Sequence, residues 1–209
     1  MNNWTEITRD INNQNDTSDH SNCIIEKLSD SIETFFALHK RSEKTRLIKK
    51  ELSKLGHELC FKVYANRLEK KDISEITHNP KNPKCKSIGK IFKNREWLYD
   101  LHWYTEGLEP YSPTSLPLAM ECEWDYKRHD DRNKTCYGAV KFDFQKLIVC
   151  NARLRLMIFK VNNKDLESLG KYFENVINSY KHLEMNAKFL FVAFDNKNKK
   201  AFYKILNKN

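Results

Sequence analysis

Glycine and proline are scarce in this chain, five of each in 209 residues, and their scarcity removes several kinds of site at once. A phosphate-cradling Gly-x-Gly-x-x-Gly or Walker-type loop needs clustered glycines so that backbone N–H groups can close on the phosphate. Here the glycines are scattered at positions 56, 89, 107, 138 and 170. No Gly-x-Ser-x-Gly nucleophile elbow occurs. His57-Glu58 opens like a zinc-protease helix, but His-Glu-x-x-His needs a histidine at position 61, where Phe61 stands. None of the six cysteines (23, 60, 85, 122, 136 and 150) forms a Cys-x-x-Cys pair. They read as small buried hydrophobes in a reducing compartment, not as a disulfide or zinc framework. An apolar signal core is missing from the N-terminus, and no apolar run approaches the roughly 18 residues of a membrane span. A soluble, cytoplasmic protein with no membrane partner is the expectation.

Aromatic and apolar material is present in quantity. At 40% hydrophobic and 12% aromatic residues the chain has enough to build a core. The formal net charge is +9, which suits a polyanionic partner, nucleic acid before an anionic membrane surface; a basic surface also serves solubility alone. Two-thirds of that excess falls within residues 67–95, where nine Lys/Arg face three acids.

The apolar spacing divides the chain into a flexible or loosely docked arm at 1–21, with Trp4 and Ile7 as its anchors, and a single domain at 22–209. Helical periodicity runs from Asn22 to about residue 39 and from Ser42 to Leu55, with Gly56 as a terminator. A strand follows at 58–65, then a basic insertion at 66–93, too long for a tight turn. Strands are expected at 95–104 and 116–124, a charged loop at 125–138, a helix at 142–152 and a central strand at 154–161. The clearest helix is 164–182, and 188–195 with 200–206 read as a hairpin. This predicts an α/β fold, a mixed central sheet flanked by helices.

Alternation along the two middle strands carries the chemistry. Leu118, Met120, Cys122 and Trp124 share one face of the later strand, and Glu121 and Glu123 the other. On the earlier strand Asp100 shares a face with Leu98 and His102. If the strands pair, three carboxylates line one side of a sheet packed on its other side. Grouped acids repel unless neutralised, and hard divalent cations held by oxygen donors are the usual remedy. Any one of these acids alone also fits a solvated edge strand, and His102 fits packing better than a ligand role.

With its helix, three strands, helix and strand in this order, the chain resembles the PD-(D/E)XK, or restriction-endonuclease-like, nuclease superfamily over roughly residues 42–161. The resemblance implies an αβββαβ core, here with an extra C-terminal helix and hairpin. It implies a metal-binding Asp on the second strand, matched by Asp100, and (Asp/Glu)-x-Lys on the third, matched at Glu121. The lysine position holds Glu123, a departure that some members share. The lysine can come from the following helix instead, where Asp143-Phe-Gln-Lys146 offers Lys146, a residue that also fits a helix surface pair with Asp143. An acid from the helix before the first strand would be Glu51, with Glu58 second.

The implied activity is Mg²⁺- or Mn²⁺-assisted hydrolysis of phosphodiester bonds, most directly in DNA, in restriction, defence or repair. Asp100, Glu121, Glu123 and Lys146 are its expected catalytic residues, and Asp100, Glu121, Glu123 and Glu51 its metal ligands. Lys81, Lys84, Lys86, Lys90, Lys127, Arg128 and Arg132 are the expected phosphate contacts, and a homodimer would let both strands be cut. The missing lysine at 123 also fits a catalytically silent nucleic-acid-binding or protein-interaction module with this fold. A toxin-like effector is a third reading.

Overall fold

The computed structural model describes residues 3–8, 20–78, 93–94, 98–109, 111–128, 132 and 134–208. The chain divides into two compact units, one formed by Arg9–Ala119 and the other by Met1–Thr8 with Met120–Asn209. Both are α/β, each with a mixed sheet. Among the described residues no helix is long and apolar enough to cross a membrane.

In the amino-terminal unit the first expected helix is two, α1 (His20–Asp30) and α2 (Ile32–Ala37), broken at Ser31. Helix α3 (Arg41–Glu58) runs on through Gly56, so this glycine does not end the helix as its sequence position implied. It is a packing residue. A Cβ there would stand 2.6 Å from Trp103 Nε1 and 2.9 Å from Val63 Cγ2. Trp103 is fully buried, stacks on Phe61, and donates its indole N–H to Leu52 O at 3.1 Å. Gly56→Ala is therefore expected to cost about 1–3 kcal/mol of stability by overpacking, with a red-shifted Trp fluorescence; an unchanged urea midpoint would contradict this packing role.

Strand β2 (Lys62–Ala65) pairs antiparallel with β4 (Leu101–Glu106) and parallel with the two-residue β3 (Lys93–Asn94). Part of the expected insertion is regular: α4 spans Lys70–His78. It was hidden by its charge, because Lys70, Lys71, Asp72 and Glu75 leave few apolar positions to show a period. Strand β5 (Pro113–Glu123) follows β4, and its residues to Ala119 belong to this unit.

The carboxy-terminal unit takes the rest of β5, then α5 (Gly138–Ile148), β6 (Leu154–Lys160), α6 (Leu166–Ser179), β7 (Lys188–Asp195) and β8 (Lys200–Asn207). Strands β6 and β7 are parallel and almost wholly buried, and β7 and β8 form the expected antiparallel hairpin. Helix α5 starts four residues earlier than its apolar pattern indicated. Phe144 of α5, Phe173 of α6 and Phe191 of β7 pack as one group, with Phe173 and Phe191 stacked at 4.3 Å and Phe144 4.8 Å from Phe173. That packing fixes the rotation of α5, and with it the direction of its polar side chains.

Of the expected arm, Thr5–Glu6 form β1, antiparallel to β8. Trp4 Nε1 donates to Leu166 O at 2.9 Å, and Ile7 is buried. The two apolar residues do anchor the segment, and a backbone ladder adds to them. Cys23, Cys122, Cys136 and Cys150 are free thiols, of which only Cys150 is buried. Cys60 is disulfide-bonded, so the expectation of thiols throughout fails at that position.

Candidate functional site

In the carboxy-terminal unit the last residues of β5 face α5. Alternation puts Glu121 and Glu123 on one side of the strand, as their spacing requires. Glu121 is 2% exposed, a burial that carboxylates rarely tolerate without a counter-charge. Lys146 supplies it from α5: its Nζ lies 3.4 Å from Glu121 Oε2 and 2.8 Å from Asp143 Oδ1. The lysine makes the helix pair with Asp143 and also reaches the strand acid. Burial alone would lower the lysine, but the hydrogen bond to Asp143 and the charges on Glu121 and Asp143 outweigh it, holding the ammonium above the ordinary lysine range.

Glu123 lies beside this group. Its Oε1 accepts from the backbone N–H of Trp124 and of Asp125, both at 2.7 Å. Burial pushes its carboxyl up, and the nearby Asp143 and Asp125 charges add to the push, against the two backbone hydrogen bonds. A carboxyl raised in the folded state binds its proton more tightly there than in the unfolded chain. Stability is then lost as pH rises from the ordinary glutamate range through the raised value. Glu123→Gln, which keeps an acceptor for both N–H groups, is expected to raise the melting temperature at pH 7. The gain should vanish at pH 3, where both side chains are neutral; a pH-independent gain would rule out titration as its cause.

In the amino-terminal unit Asp100 sits one residue before β4, in a bend, and not on the strand. Strand alternation does not govern it, and its direction is set by partners instead. Lys49 of α3, with a side chain 1% exposed, places Nζ 2.8 Å from Asp100 Oδ1 and also hydrogen-bonds Asn66 Oδ1. Glu51 lies two residues further along α3, about 200° round the helix from Lys49. It meets Lys27 at 3.6 Å and Lys54 at 3.3 Å, while Glu58 stands 3.9 Å from Lys27. His102 is fully buried beside Tyr64, 4.9 Å between ring centres. Desolvation lowers its pKa to about 4, so it is a neutral packing group at physiological pH.

The carboxylates offer oxygen donors of the kind Mg²⁺ takes. Among the described residues, however, no three His, Cys, Asp or Glu side chains converge closely enough to hold an ion. Between Glu121 and Asp143 the positive charge is the Lys146 ammonium. The arrangement does not fit a ready three-donor metal site. Lys49 and Asn66 are the residues that sequence reasoning passed over. The Asp143–Lys146 pair was legible, since an acid three residues before a lysine shares its helix face. Lys49 had no such signal, being one of several lysines along α3.

Of the expected phosphate contacts, Lys127 and Arg132 are exposed, and Arg128 is half-buried with its guanidinium over the Phe142 ring. Lys81, Lys84, Lys86 and Lys90 lie outside the described residues. Comparison of the chain with protein-family models, curated proteins and solved structures found no match.

Proposed function

We propose that this chain hydrolyses phosphodiester bonds in nucleic acid, DNA first, on a restriction-endonuclease-like core, in restriction, defence or repair. The observation supporting this most directly is the meeting of Glu121 with Lys146: a buried strand carboxylate and a helix-borne lysine held 3.4 Å apart. A fixed ammonium beside a water-excluded carboxylate stabilises the charge that builds on phosphate oxygens during attack by water. Glu123, whose carboxyl burial holds above the ordinary glutamate range, is the proposed proton acceptor. Mg²⁺ or Mn²⁺ belongs to the proposal as a dependence to be measured, and no step is drawn through it.

A second reading, a silent nucleic-acid-binding module, is favoured by one observation. Each principal acid already holds a lysine, Asp100 with Lys49 and Glu121 with Lys146. Plasmid DNA and RNA incubated with the protein and Mg²⁺, Mn²⁺ or EDTA separate the two. Metal-dependent cutting by wild type, lost in Glu121→Gln and in Asp100→Asn, is expected of the hydrolase. Binding of the same nucleic acid without cutting under any condition would leave the module.

A further inference from the structure

Building on the reading of the chain as acting on nucleic acid, we propose that the outer face of α5 is a stacking subsite for an unpaired nucleotide, so that the preferred ligand is single-stranded. Gly138, Lys141, Phe142 and Gln145 recur at the spacing that puts residues on one face of a helix. They line a cleft of about 420 Å³ together with Arg128 and Thr135 from the preceding loop and Tyr172 of α6. Its side chains are two cations, two aromatic rings and two neutral hydrogen-bonding groups, with no acid among them. That set complements a phosphate joined to a flat, polar-edged ring.

The aromatic groups are already engaged as cation partners. The Arg128 guanidinium carbon lies 3.4 Å from the Phe142 ring centre, and Lys141 Nζ is 4.5 Å from that of Tyr172. Phe142 is 43% exposed, which leaves part of its ring open to a ligand. A cation–π contact at an exposed site is weak, so an arriving base takes the Phe142 face and leaves Arg128 for the phosphate. Bases within a duplex have both faces covered by neighbours, whereas single-strand binders combine cationic and aromatic side chains in this way. The cleft also adjoins the acid–lysine group, since Lys146 Nζ lies 6.0 Å from the same ring. A base held on Phe142 would bring a neighbouring phosphate toward Lys146.

Binding, read in EDTA by fluorescence anisotropy, keeps this separate from cleavage. The probes are a fluorescein-labelled oligothymidylate, a duplex of equal length and an abasic strand with the same backbone. The full chain is expected to prefer the oligothymidylate to both other probes. Phe142→Ala should weaken that binding by about 5- to 100-fold, and Phe142→Trp should retain it. Arg128→Ala with Lys141→Ala should flatten the salt dependence by about one to two phosphates. Equal affinity for the abasic strand, or unchanged binding by a folded Phe142→Ala protein, overturns the proposal even if DNA is cut. Base-dependent binding without any cutting would sustain the subsite and discard the hydrolase.

Discussion

Lys146→Met is expected to slow cleavage of nucleic acid by about 10²- to 10³-fold, the usual loss when one preorganised donor is removed from a developing oxyanion. Methionine keeps the length and apolar stem of lysine and deletes only the ammonium. Because the Lys146 side chain is 39% exposed, its loss should leave a folded protein, which circular dichroism would check. Glu121, at 2% exposure, then loses the Lys146 cation beside it, so a modest stability loss should accompany the substitution. Lys146→Arg keeps the charge but spreads it over a plane, and should recover part of the rate. The decisive comparison is kcat at saturating substrate. A loss confined to KM would assign Lys146 to binding alone.

The largest stability effect is expected at the other acid. Asp100→Ala leaves the Lys49 ammonium, 1% exposed, with Asn66 as its remaining described partner. Breaking a buried pair on one side costs about 3–5 kcal/mol because a charge stays behind without compensation. Lys49→Met should cost less, since Asp100 is 23% exposed and water can reach it. The double variant should be more stable than Asp100→Ala alone, the signature of coupling in a double-mutant cycle. Additive urea-derived losses would show that the pair does not couple. Asp100→Asn is for this reason the better probe of activity, with its melting temperature measured alongside.

Long, strongly periodic segments were legible from residue types alone. Leu166, Leu169, Phe173 and Ile177 gave α6, and the β-rich runs around the Asn196–Lys199 turn gave the β7–β8 hairpin. Trp4 and Ile7 stood out because apolar residues in a polar segment need somewhere to go. Gly56 misled because a glycine after an apolar period has two physical explanations, termination and close approach, and only the position of Trp103 decides between them. Asp100 misled because strand alternation was extended one residue past where the ladder begins. Glu121 and Glu123 were correctly put on one face, since β5 continues through both. What no local pattern carries is the pairing of charges distant in sequence. Lys49 reaches Asp100 from another element, so neither its burial nor its partner could be foreseen.

Strand β1 consequently has a bearing on synthesis. Its partner β8 lies about two hundred residues further along the chain. During translation Arg9–Ala119 can emerge and collapse as a unit while Thr5–Glu6 wait for a strand that does not yet exist. Closing that ladder is a late step with a large loop to restrain. Trp4 fluorescence should therefore report a late stage of folding, after the elements between the two strands have formed.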